Sequence, residues 1–296
     1  MKLIVFIAAH KNETQINRLI KALAHPDITV YIHLDKKSKV NPADILSEAK
    51  IIRNSMDVTW GTFSQVESTI NGLREIMANE PDFDCLAFIS GQDYPVLPPE
   101  AILNSLSENQ GKEMIDFTTL DQDGWNKARI RFERYYFGSY NNRLIRFAGN
   151  ILTFSCDKIR WKRSFYKGMK PFGGPSWWTL SRDCIQYVLN FTDAHKGYAR
   201  FMKKTIHADE MFFHTIVMNS PFKDRAYKNN FRFIKWQKVK ENAHPNILVK
   251  TDFQEIVNSQ NHFARKFDIE IDAQILDLVD DCLNQKGAAA PQQITS

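Results

Sequence analysis

The chain has 296 residues, 43% of them hydrophobic and 25% charged, with a formal net charge of +5. These are the proportions of an ordinary globular protein, long enough for one large α/β domain or two small ones with a sizeable core. No stretch approaches the roughly 20 apolar residues of a membrane span. Four widely spaced cysteines (Cys85, Cys156, Cys184, Cys282) contain no C-x-x-C pair, so reduced thiols are expected.

Residues 3–9, LIVFIAA, form an apolar run that passes directly into patterned sequence, so the opening reads as a first β-strand and not as a signal peptide. Ile16, Leu19, Ile20 and Leu23 then recur at helical spacing. Residues 28–35, ITVYIHLD, give a second strand ending at Asp35, and a short helix near 42–49 leads to KIIR at 50–53. Phe63, Val66, Ile70, Leu73 and Met77 mark an amphipathic helix, with Ser64 and Glu67 in capping-box spacing at its start. CLAFISG (85–91), a Pro-flagged helix from about 98, and MIDFTTL (114–120) follow. Repeated βα units predict a doubly wound, mostly parallel sheet. Ligands of such sheets sit beyond the carboxyl ends of the strands, which singles out His10, Asp35 and Asp93.

The pattern changes at residues 121–172. Between positions 126 and 170 there are twelve Lys or Arg against two acids, Glu133 and Asp157, interleaved with aromatics. Such a block suits an anionic membrane, an acidic or lipid-linked acceptor, or a solvated flap over the sheet; no recognised nucleic-acid motif accompanies it. Regular structure resumes with SWWTL (176–180), a helix around 182–191, another from about 209, the strand FRFIKW (231–236) and a helix near 271–284. The expected organisation is one domain over 1–285, with a nucleotide-binding half (1–120), a basic aromatic insertion (121–172) and a catalytic and acceptor half (173–285). Residues 286–296 read as a disordered tail.

HADEMFFHTIV (207–217) is the most chemically suggestive stretch. Asp209 reads as a helix cap and Glu210 as a first-turn acid, either stabilising the helix dipole or serving as a general base made less acidic by burial near Phe212 or Trp178. GGPSWWTL (173–180) points Trp177 and Trp178 to opposite faces of a strand, one to the core and one free to stack on a sugar. In NHFARKFD (261–268), Arg265 and Lys266 stand between Phe263 and Phe267. They are either a solvated turn or a metal-free clamp for a diphosphate. Asp121 and Asp123, after the strand at 114–120, are a weak metal candidate, whereas DFD (82–84) lies at the wrong end of its strand.

Taken in order, these segments, with WGTFSQVES, FISGQDYPV, FIKWQ and the closing HPNIL…HFARKFD, resemble the core-2/I-branching enzyme family. That family includes β-1,6-N-acetylglucosaminyltransferases, peptide O-xylosyltransferases and bacterial and plant relatives. The resemblance spans about residues 3–270. It implies a GT-A-type fold and an inverting glycosyltransferase that takes a UDP-sugar, of GlcNAc or xylose, without a required metal or other cofactor. It makes Glu210 the catalytic base, sets Lys266 on the donor diphosphate and Asp35 in the nucleotide pocket, and sets Trp236 in the acceptor site. Glu133 resembles an acceptor-side glutamate of the branching enzymes. His10, Ser64, Asp93 and Arg265 join the donor side, and Trp178 the acceptor side.

The family's second phosphate-binding arginine has no counterpart in NAHPNILVKTDF, which leaves Arg265 or His244 for that role. The many cysteines of the animal enzymes are also missing, which fits a bacterial or cytosolic setting. The expected partners are a UDP-sugar and a glycan or lipid-linked saccharide, with peripheral contact at the inner face of an anionic membrane. A metal-dependent transferase using Asp93 or the 121/123 pair, and a non-catalytic anionic-glycan-binding protein, are the competing readings.

Overall fold

The computed structural model describes residues 1–120, 126–137, 143–236 and 245–289. Its strands are β1 (Leu3–Ala9), β2 (Ile28–Leu34), β3 (Ala49–Ile51), β4 (Cys85–Ser90), β5 (Asp93–Pro95), β6 (Glu113–Met114), β7 (Thr118–Thr119), β8 (Phe172–Gly173), β9 (Trp178–Ser181), β10 (Ala226–Tyr227), β11 (Arg232–Ile234) and β12 (Phe263–Arg265). The α-helices are α1 (Glu13–Ala22), α2 (Ser64–Asn79), α3 (Pro99–Glu108), α4 (Asn126–Glu133), α5 (Arg143–Lys158), α6 (Arg182–Ala194), α7 (Lys196–Met202), α8 (Phe212–Met218), α9 (Phe253–Asn258) and α10 (Gln274–Ala289).

The main sheet runs in the order β10–β6–β9–β4–β1–β2–β3. Strands β3, β2, β1 and β4 are parallel, and β9 is antiparallel to both β4 and β6. This is the GT-A-like α/β arrangement, a mostly parallel sheet flanked by helices. The central strands are mostly apolar on both faces because both are covered. Leu3, Val5 and Ile7 of β1 pack with Ile16, Leu19 and Ile20 of α1 and with Leu276 and Val279 of α10. The alternate residues Ile4 and Phe6 pack on the other face with Val66, Ile70 and Leu73 of α2 and Ile185 of α6.

A second sheet, β11–β12–β5, carries the residues of interest. β12 lies parallel to β11 and antiparallel to β5, with Arg265 directly opposite Asp93. β7 and β8 form a separate two-stranded ribbon.

Local expectations shift in four places. The helix expected at 42–49 is a 3-10 turn over Pro42–Asp44. The strand expected at 114–120 breaks into β6 and β7. The capping box at Ser64 and Glu67 does not form: Phe63 holds the cap position of α2 with no side-chain bond, and Glu67 pairs with Lys203 at 2.6 Å. The basic insertion contains two helices, α4 and α5.

Candidate active site

The parallel strands end together, and backbone bonds tie their loops into one surface. Asp35 N donates to Ala9 O (2.8 Å), Gly91 N to Ala8 O (2.9 Å), and Phe267 N to Gln92 O (2.8 Å). His10 and Lys11, the Asp35 turn, the loop before β5 and the end of β12 therefore adjoin one another. Lys11 pairs with the buried carboxylate of Asp268 at 2.6 Å. Asp35 shapes its own turn, its Oδ1 accepting from Lys37 N at 2.9 Å and Val58 N at 3.4 Å.

The cations at this end crowd one another. The pKa of Lys266 is lowered by burial first, then by the charges of Arg265 and Lys11, with Asp268 and Asp93 opposing. That of His10 is lowered by partial desolvation, then by Lys11 and Lys266. A bound polyanion would relieve this repulsion, which is the electrostatic character of a phosphate site.

Arg265 is the most confined of these groups. Phe263 and Phe267 on either side are buried, and the Arg265 side chain is only 12% exposed. Its guanidinium lies 4.5 Å over the Trp177 ring, its Nε is 3.4 Å from Asp93 Oδ1, and its buried Nη1 has no hydrogen-bond partner among the described residues. An unsatisfied charged donor inside a protein is costly, and a phosphate oxygen would satisfy it.

Glu210 closes a 3-10 turn, Ala208–Glu210, ahead of α8. The turn is fixed by His207 N donating to Gly61 O (2.8 Å) and Gly174 N donating to Glu210 O (2.9 Å). Both glycines are required by close approach. A Cβ on Gly174 would stand 2.0 Å from Asp116 O, and one on Gly61, which is at φ +74°, would stand 3.1 Å from the His207 ring. The Glu210 carboxylate, about one-third exposed, is ion-paired with Arg131 of α4. Sequence reasoning did not single out Arg131, since nothing separates it from the other eleven basic residues of its block.

Asp209 is not a helix cap. α8 starts at Phe212 behind Met211, which makes no side-chain capping bond. The Asp209 carboxylate turns inward: Ser176 Oγ donates to its Oδ2 at 2.6 Å and Gln65 Nε2 at 3.4 Å, while its buried Oδ1 has no hydrogen-bond partner among the described residues. Burial, reinforced by the neighbouring charge of Glu210, raises its pKa to about 6.

One short segment serves both parts of the site. Gly174 bonds Glu210, Ser176 bonds Asp209, and Trp177 lies under Arg265. Ser176 and Trp177 are consecutive, with Cα atoms about 3.8 Å apart. The acidic turn and the cationic strand are thus anchored on adjoining residues.

Several expected site residues sit elsewhere. Trp178 is wholly buried between Phe88 and Phe213, at 5.3 and 5.2 Å, and has no surface to offer an acceptor; Trp177 is the partly open member of the pair. Asp93 is likewise fully buried, accepting from Ser90 N (3.0 Å) and Ser90 Oγ (2.9 Å) and facing Arg265. It holds the arginine and cannot reach a ribose or sugar hydroxyl. Ser64 accepts from Thr59 N at 2.8 Å and lines a cleft of about 540 Å³ with Thr59, Tyr136, Phe137 and Lys203.

Glu133 ends α4 in ion pairs with Arg129 (3.1 Å) and Lys162 (3.4 Å). Trp236 is half exposed, bridged to Pro245 just after β11. Asp121, Asp123 and His244 lie outside the described residues. Among the described residues, no three His, Cys, Asp or Glu side chains converge as a metal-binding group.

Fold and site together define a GT-A-like domain in which a carboxylate turn faces the same segment as a cationic strand end. The chain belongs to the Core-2/I-Branching enzyme family, a family of glycosyltransferases, whose profile matches residues 5–257. It is similar to xylosyltransferase 2 of Rattus norvegicus, 26% identical over 292 residues that cover 90% of this chain and 32% of the relative. Xylosyltransferase 1 of Homo sapiens is 25% identical over 302 residues, covering 93% and 30%. Xylosyltransferase sqv-6 of Caenorhabditis elegans is 23% identical over 292 residues, covering 88% and 34%. The chain therefore spans about a third of the length of the curated relatives it matches.

Proposed function

We propose that this chain transfers a sugar from a UDP-sugar to a hydroxyl of a glycan or surface-polysaccharide acceptor, with inversion and without a metal. The observation that carries the reading is the Gly174–Trp178 segment, which anchors the Glu210 turn and the Arg265 strand on neighbouring residues. The names of the relatives favour xylose as the transferred sugar, with GlcNAc as the other candidate.

In the proposed step, Glu210 accepts the proton of the acceptor hydroxyl as its oxygen bonds to the anomeric carbon. The bond from that carbon to the β-phosphate oxygen breaks on the opposite face, and UDP leaves with the electron pair. Arg131, ion-paired with Glu210, must yield to the acceptor hydroxyl for this to happen. Lys266 and the free Nη1 of Arg265 meet the growing diphosphate charge, each well-placed donor worth roughly 3 kcal/mol in the transition state. Asp35 belongs to the nucleotide pocket and Trp236 to the acceptor side. A metal-dependent route through Asp93 has no support, because that carboxylate is buried and committed to Ser90 and Arg265.

Peripheral contact of residues 126–170 with the cytoplasmic face of an anionic membrane belongs to the same reading. The deciding experiment is Glu210→Gln, which keeps shape and removes the base. Transfer should be abolished while UDP still binds; turnover persisting in the variant would sink the assignment. Wild-type transfer should survive excess EDTA.

A further inference from the structure

We infer that α5 is an interfacial helix that lies along an anionic bilayer with its outer face in the headgroup region. The inference rests on the peripheral-contact reading above and names the element that makes the contact. α5 has 16 residues and is about 24 Å long. Leu144, Phe147, Ile151 and Phe154 recur at intervals of three and four, forming one stripe along it. The stripe faces outward: Leu144 is 80% exposed and Phe147 and Phe154 are each 67% exposed, while Gly149 and Cys156 on the opposite side are buried. Ile159 and Trp161 extend the exposed apolar surface beyond the helix. Most of the large hydrophobic side chains left exposed on the described protein fall in this one stretch. A solvated flap would not concentrate them so.

The rim of the stripe identifies its occupant. Arg143 and Arg146 flank it on one side, and Lys158, Arg160 and Lys162 cluster at its C-terminal end. The single acid between 143 and 162 is Asp157, already held by Arg134 at 2.8 Å. An apolar stripe flanked by cations is the pattern of a helix lying in an anionic membrane surface, where side chains enter the acyl boundary and cations meet phosphates. A second copy of the chain fits less well, because a twofold contact sets each cationic rim against the other. No helix among the described residues is long and apolar enough to cross the membrane, so α5 would lie on the surface. Arg134, one residue beyond α4, ties α5 through Asp157 to the helix whose Arg131 reaches Glu210. Docking by α5 would therefore hold the Glu210 turn near the membrane surface, suited to a lipid-linked saccharide acceptor.

The test uses the full chain and sucrose-loaded vesicles of phosphatidylcholine, with or without phosphatidylglycerol. Wild type should sediment with the anionic vesicles and be released by salt. Phe147→Ser with Phe154→Ser should weaken that binding about tenfold per phenylalanine, about a hundredfold together. Circular dichroism and thermal midpoint should stay unchanged, as expected for exposed side chains. Arg143→Glu with Arg146→Glu should remove the preference for anionic lipid.

Anionic binding that is unaltered in the double phenylalanine variant overturns the role of α5 and leaves the peripheral-contact reading standing. No binding by wild type overturns both. A wild-type dimer that the phenylalanine variant dissolves, without vesicle binding, makes a second copy the occupant and also overturns the inference.

Discussion

Asp93→Asn probes how the cationic strand is held. The carboxylate has no exposed surface and sits 3.4 Å from Arg265 Nε. Its charge also supports Arg232, a buried arginine whose pKa burial pushes down to about 10. Asparagine can still accept from Ser90, so the variant removes charge more than shape. Two buried guanidiniums are then left without their anion. Losing one partner of a buried ion pair costs about 3–5 kcal/mol, and the long contact together with the remaining exposure of Arg265 points to the lower end, about 3 kcal/mol.

At roughly 2 °C per kcal/mol for a chain of this size, the thermal midpoint should fall by about 6 °C. In urea the transition should move to lower concentration with its slope unchanged. UDP then becomes the available counter-charge, so the UDP-induced rise in Tm should be larger in the variant than in wild type. Scanning fluorimetry with and without UDP reads both quantities. A variant within about 1 °C of wild type would refute the ion-pair reasoning, since removal of a buried partner costs several times that. A smaller UDP response would refute the part that turns Arg265 toward the diphosphate.

Lys266→Ala should weaken UDP binding about tenfold to a hundredfold, the worth of one charged hydrogen bond, and calorimetry that finds unchanged affinity would remove Lys266 from the donor site. Asp209 predicts a pH effect. Its folded pKa of about 6 lies above the usual 3.8, so the stability it contributes is fully present below pH 3.8 and is lost as pH rises through 6. Between pH 4 and 7 wild type should therefore lose roughly 2 kcal/mol relative to Asp209→Asn. Urea unfolding of the two proteins across that range measures the difference, and a constant gap would show that burial does not strain this carboxylate.

What the sequence discloses and what it hides follow from the range of the forces involved. β1, β2 and β4 are legible because strands covered on both faces read as near-continuous apolar runs, a constraint written into each segment separately. The strand-end rule singles out His10, Asp35 and Asp93; His10 lies within electrostatic reach of Lys11, Lys266 and Asp35. The sheet that holds Arg265 is legible only at β11, within FRFIKW: β5 and β12 are three residues long and their key pairing, Arg265 with Asp93, joins distant parts of the chain.

Asp209 shows the same limit from the other side. The local rule offers a cap, but an inward-facing Ser176 hydroxyl and the backbone bond from Gly174 win the geometry. Trp177 and Trp178 look alike in sequence, and only the pairing of Trp178 with Phe88 across the sheet decides which is core. Family resemblance supplied Glu210 and Lys266 as motif positions. What links their two segments is a separate matter: Gly174 and Ser176 hold the Glu210 turn, and Trp177 lies under Arg265, the neighbour of Lys266.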